Sequence, residues 1–262
     1  MQWLIGFVRA CAARMVEIEV VERAVALASL AFTALIPLGI VVGSLATTGD
    51  TNALVRSLVR RFKLTGEPRH LVEQVFSPPA DVRSTVSVIG AVLLVVSALS
   101  FTRALQRVYE RAFELPRLGV RGTPAGALWL LAVAVFVFPV AELRNDLVDA
   151  VGPVLSFVVA LAFSLGIWWG TPWLLLSRRL PWHTLLPTAL VTAAAATGVG
   201  AASIVYMPTA IGDAAGRYGE IGVAIALVSW LVVVGFAVVV CAAVGSVIVQ
   251  RRGGGSQSQA ED

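Results

Sequence analysis

Lysine is almost missing from this chain: Lys63 is the only one, and every other fixed cation is an arginine. Charged residues make up 14% of the 262 positions against 58% hydrophobic ones, too few to cover the surface of a soluble domain. Histidine occurs only at His70 and His183, in different connections and with no HxE, HxH or DxD spacing nearby. That pattern supplies neither a metal site nor a general acid–base pair, which argues against a nuclease. The two cysteines, Cys11 and Cys241, stand far apart without metal-ligand spacing and read as small apolar side chains. No glycine-rich phosphate loop is present, so the chain does not hydrolyse ATP, and no pattern calls for a cofactor. No apolar stretch holds an acid, lysine or histidine near its centre, which argues against a strongly ion-coupled pump. The first 23 residues carry Arg9, Arg14, Glu17, Glu19, Glu22 and Arg23, too polar for the core of a cleavable signal peptide.

What the chain has in quantity is long apolar runs. Residues 24–46, 86–105, 124–140, 151–176, 185–206 and 221–249 are each long enough to approach or exceed a bilayer crossing, which takes about 20 helical residues. The expected fold is an all-α polytopic membrane protein with six transmembrane helices in one bundle over 24–249. Residues 1–23 are expected to form an interfacial amphipathic helix: Trp3, Phe7, Cys11, Met15 and Ile18 recur at helical spacing. Whether that face lies on the membrane or against the end of the bundle stays open. Within the long connection 48–81, Leu54, Val55, Leu58, Val59 and Phe62 oppose Arg56, Arg60, Arg61 and Lys63, and Leu71, Val72, Val75 and Phe76 repeat the pattern. Two short amphipathic helices on a lipid surface, or capping the bundle, fit this better than nucleic-acid binding. The Gly/Ser/Gln-rich tail 250–262 is expected to be disordered.

Twelve of the twenty basic residues fall on one side of the six-span arrangement, the side of the N-terminus, of Arg103–Arg121, of Arg178-Arg179 and of Arg251-Arg252. Both termini are therefore expected on the cytoplasmic side of the membrane. The local acids Glu142, Asp146 and Asp149 read as a solvated connection.

One constellation stands out. Arg103, Arg107 and Arg111 are spaced by four, so they share one face of a helix leaving the second apolar run, with Glu110 and Glu114 interleaved as neutralising partners. Such a row is a candidate lipid headgroup-binding site, because guanidinium groups grip phosphate bidentately; it also suits a plain positive-inside anchor. In a transporter Arg103, Arg107, Ser97, Ser100 and Thr102 are expected to face the bundle interior, and in a scaffold lipid or water. Candidate hinge or packing residues are Pro37, Gly39, Gly43, Pro187, Tyr218, Gly219 and Gly222. Gly166 and Gly170 repeat the GxxxG spacing, and Trp168, Trp169, Trp173 and Trp182 read as an interfacial belt or a ligand platform.

Three stretches together resemble the YihY/BrkB family of bacterial inner-membrane proteins, formerly mislabelled as ribonuclease BN-like. They are Leu30–Leu38 with its central Pro37, Ile89–Arg107, and Pro181-Trp182-His183 to Pro187 followed by Tyr218-Gly219-Glu220-Ile221-Gly222 to Trp230. The resemblance covers roughly residues 10–250. It departs from the family at Thr33, at Thr188 and near Gly245, where a common Gly-Ala-Glu element has no acid here. Members have been called a ribonuclease and a virulence factor, and proposed to act in envelope lipid transport. The resemblance implies a non-enzymatic protein handling a phospholipid or glycolipid, with anionic membrane lipids as partners. The alternative is a scaffold that binds other envelope proteins or a second copy of itself.

Overall fold

The computed structural model describes residues 2–45, 59, 66, 69, 70, 72 and 85–258; over 2–3, 36, 39–45, 85–88, 134–151, 153–154, 156–157, 160 and 252–258 only the backbone is described. The elements in order are α1 (Gln2–Glu17), α2 (Val20–Leu45), α3 (Thr85–Ala112), α4 (Thr123–Leu175) and α5 (Leu186–Ser258), with 3-10 turns at Gly119–Gly122 and Trp182–Leu185. No strand occurs among the described residues. Two regions among them are long and apolar enough to cross a membrane, Ile89–Ala112 and Trp182–Arg251. Their outward faces carry Val92, Leu93, Val96, Val205 and Ile225, all more than half exposed, as a hydrocarbon-facing surface would be.

Helix ends depart from the sequence reading in three places. The N-terminal helix stops at Glu17, because Glu19 adopts a left-handed conformation (φ 55) and a new helix starts at Val20. Residues 141–150 and 207–218, expected as connections, are helical. The break is confined to one glycine each, Gly152 (φ 78, ψ 165) in α4 and Gly219 (φ 59, ψ −136) in α5. A side chain with a Cβ rarely tolerates either geometry, so a glycine can turn the chain where other residues would continue the helix. The tail expected to be disordered from residue 250 has a helical backbone to Ser258. Residues 259–262 lie outside the described residues.

The chain divides into two compact units. The first comprises Met1–Ala24, Thr102–Thr197 and Phe236–Asp262. Its core holds Leu105, Val108, Tyr109, Leu175, Leu176, Leu185, Val239 and Ala242, with Tyr109 fully buried. Here the two limbs of α5 meet where a Cβ on Gly245 would lie 2.7 Å from Thr188 Cα, and α3 meets the start of α4 at Gly122 and Gly126. A Cβ on Gly126 would lie 2.9 Å from Thr102 Cγ2. This Gly122/Gly126 pair has the same four-residue spacing as Gly39/Gly43 and Gly166/Gly170.

The second unit comprises Val25–Phe101 and Gly198–Gly235. Its core joins Met207, Ile211, Ala215, Val223 and Leu227 with Val72 of the long connection, and Phe32, Leu35, Val59 and Trp230 pack against it. Val59 and Val72 thus turn their apolar faces onto the bundle. The rest of the amphipathic reading of 48–81 lies outside the described residues.

Candidate functional site

Between Thr102 and Ala112 every residue of α3 is buried except Arg103, Arg107 and Arg111. A four-residue step returns to nearly the same helical face, so the three side chains form one ridge. It spans about 12 Å along the axis. Arg103 donates from Nη2 to Thr123 Oγ1 at 2.8 Å, and Arg107 from Nε to the Arg103 carbonyl at 3.2 Å. Among the described residues no carboxylate pairs with any of the three.

The acids expected to neutralise this row are committed elsewhere. Glu110, only 3% exposed along its side chain, accepts from Arg179 Nη2 at 3.1 Å. It also accepts from the Leu118 amide at 2.9 Å and from Gln106 Nε2 at 3.3 Å. Arg179 further donates to the carbonyls of Pro116 (2.7 Å) and Leu176 (3.2 Å). One buried carboxylate therefore ties α3, the loop carrying Arg117 and Arg121, and the end of α4 together. Glu114 turns to α1: Arg14, nearly buried, binds Glu114, Glu17 Oε2 (3.1 Å) and Gln250 Oε1 (2.9 Å). Glu114 sits in the left-handed region (φ 55) at the end of α3. There the Leu115 amide reaches the Glu110 carbonyl at 2.8 Å and the Glu114 amide that of Arg111 at 3.3 Å, a Schellman cap followed by Pro116. The cap aims Glu114 away from the ridge.

The α1 row read as amphipathic faces the first unit: Cys11, Arg14 and Ile18 are buried, and Arg251 lies over the Phe7 ring at 5.4 Å. Its other side exposes Leu4, Ile5, Val8 and Val16, so the helix packs on the bundle and still presents apolar surface. Trp3's side chain lies outside the described residues.

The Arg14 cluster has a pH consequence. Hydrogen bonds from Arg14 and then Gln250, with the Arg14 charge, hold the Glu114 carboxyl below the usual 4.5. A lowered folded-state value stabilises the fold above the unfolded value and loses that contribution as pH falls through the folded one. Solvent screening keeps the effect under about 1 kcal/mol. Glu114→Gln is expected to flatten the loss of stability below pH 4.5, measured as melting temperature in mild detergent against pH.

The remaining sequence candidates are scattered. Ser97 and Ser100 are half-buried, with the Ser100 hydroxyl returned to the Val96 carbonyl at 2.7 Å, and Thr102 is buried. Pro37 lies inside α2; Gly39 and Gly43 are helical, and their surroundings lie outside the described residues. Pro187 is buried in the first turn of α5. Tyr218 is exposed beside the Gly219 break, and a Cβ on Gly222 would fall 2.0 Å from the Ala214 carbonyl oxygen. Gly166 and Gly170 touch nothing within 4 Å of a built Cβ. They line an apolar cleft of about 430 Å³ between the limbs of α4, where Trp129 Nε1 donates to Thr171 Oγ1 at 3.0 Å. Trp169 stacks on Trp182 with centroids 4.9 Å apart and donates to its carbonyl, while Arg178 covers Trp173 at 4.6 Å.

No curated protein and no solved structure matches the chain. A family model described as Virulence factor BrkB matches residues 11–262, taking in the arginine ridge, the buried Glu110 clamp and the Gly219 turn. The chain therefore belongs to the YihY/BrkB family and is a membrane protein of that family.

Proposed function

We propose that this protein is a non-enzymatic, six-span inner-membrane protein, with both termini cytoplasmic, that handles a phospholipid or glycolipid by its anionic headgroup. The observation that carries the reading is the ridge of Arg103, Arg107 and Arg111, the only exposed residues on an otherwise buried length of helix. Glu110 and Glu114 are engaged by Arg179 and Arg14, so the ridge keeps its full positive charge. A surface cation near anionic lipid contributes about 1 kcal/mol; bidentate contact with phosphate adds to that, and lysine does not reproduce the geometry.

The ridge faces outward instead of lining an interior path. That position favours contact with lipid from the side of the bundle, and it is also the observation favouring the second reading, a scaffold that binds other envelope proteins. Retention of phosphatidylglycerol by the gently solubilised protein, followed by native mass spectrometry, separates the two. Arg103→Lys/Arg107→Lys is expected to lower retention about tenfold with charge unchanged. Unchanged retention would leave a plain positive-inside anchor and sink the headgroup site.

A further inference from the structure

Around the Gly219 turn, within the second unit, the two limbs of α5 enclose a cleft of about 400 Å³. It is lined by Asp213, Arg217 and Tyr218 and by Tyr206, Trp230 and Val233. From Arg217 to Tyr206 the helix rises about 16 Å, so charge at one end grades into apolar surface at the other.

Asp213 and Arg217 are one turn apart on the same face, the arrangement that ordinarily closes into an ion pair on a helix. Among the described residues neither makes an ion pair or a hydrogen bond, and both stand exposed at the cleft. Two opposite, uncompensated charges about 6 Å apart along the axis match a ligand that itself carries a negative and a positive group. Toward the apolar end Tyr206 and Trp230 stack with centroids 6.1 Å apart. Aromatic rings with one polar edge suit the depth where a lipid headgroup meets its acyl chains.

We propose that this cleft binds the headgroup of a zwitterionic phospholipid, with Arg217 on its phosphate, Asp213 on its ammonium and the upper acyl chain along Trp230 and Val233. The site stands apart from the arginine ridge in residues and in ligand charge, and it does not depend on the reading of that ridge.

The test is native mass spectrometry of the full-length protein titrated with phosphatidylethanolamine or with phosphatidylglycerol, in wild-type and Arg103→Lys/Arg107→Lys backgrounds. In the Arg103→Lys/Arg107→Lys background, where the ridge no longer favours the anionic lipid, phosphatidylethanolamine is expected to be held in preference. Asp213→Asn should abolish the preference, about tenfold, by losing the ammonium contact, while Asp213→Glu should restore most of it. Arg217→Gln should weaken retention of both lipids at this site. The Asp213 effect is expected in both backgrounds, so failure of the ridge and failure of the cleft remain separable. Deacylated glycerophosphoethanolamine should compete poorly, because it lacks the chain that fills the apolar end. Equal competition by it, a lipid preference unchanged by Asp213→Asn, or a dimer in which the cleft retains no lipid would each overturn the proposal.

Discussion

Arg179→Met should be the most damaging single substitution among the described polar residues, costing about 3–5 kcal/mol. The reason is an asymmetry in burial. Arg179 keeps 23% of its side-chain surface exposed, whereas Glu110 keeps 3%. Removing the arginine strands a carboxylate that has only Gln106 and the Leu118 amide for compensation, and it also takes the guanidinium from the Pro116 carbonyl. Glu110→Gln, by contrast, preserves an acceptor for Leu118 and leaves a guanidinium that reaches water, so about 1–2 kcal/mol is expected. Unfolding of the purified protein in mixed detergent measures both. The double variant should cost less than the sum of the two, as for any coupled pair. Equal effects, or a change within 0.5 kcal/mol of the kind expected at ordinary surface sites, would mean that the clamp does not hold the loop to α3.

The second large effect concerns two glycines six residues apart in α5, whose replacement by alanine should have opposite signs. At Gly222 the added methyl would fall 2.0 Å from the Ala214 carbonyl oxygen and 2.4 Å from its carbon. Those atoms are backbone, so no rotamer relieves the clash and the two limbs of the helix must separate. Gly222→Ala is expected to cost about 3 kcal/mol, at the upper end for overpacking. At Gly216 nothing lies within 4 Å of the same methyl. Gly216→Ala should therefore stabilise by about 0.5–1 kcal/mol through reduced freedom of the unfolded helix. The two melting temperatures in one detergent test the pair. A tolerated Gly222→Ala would show that the limbs do not approach closely at the Gly219 turn.

Much of this protein was legible because helical periodicity is local. The four-residue spacing of Arg103, Arg107 and Arg111 places them on one face whatever surrounds the helix, and the apolar runs within Ile89–Ala112 and Trp182–Arg251 mark helices long enough to cross a membrane by length and composition alone. The same spacing made Glu110 and Glu114 look like neutralising neighbours of that row. Only the tertiary structure decides otherwise, because their partners come from Arg179, 69 positions away, and Arg14, 100 positions away. Glu110, itself buried, is less screened from Arg179 than an exposed carboxylate would be from the ridge. The glycines divide in the same way. The four-residue spacing is identical at Gly122/Gly126 and Gly166/Gly170, yet the first pair admits Gln106 and Thr102 while the second faces open space. Sequence by itself establishes which residues share a face of one helix. What covers that face depends on segments brought together by folding, and that is where the uncompensated charge of the ridge and the cleft at Asp213 and Arg217 arise.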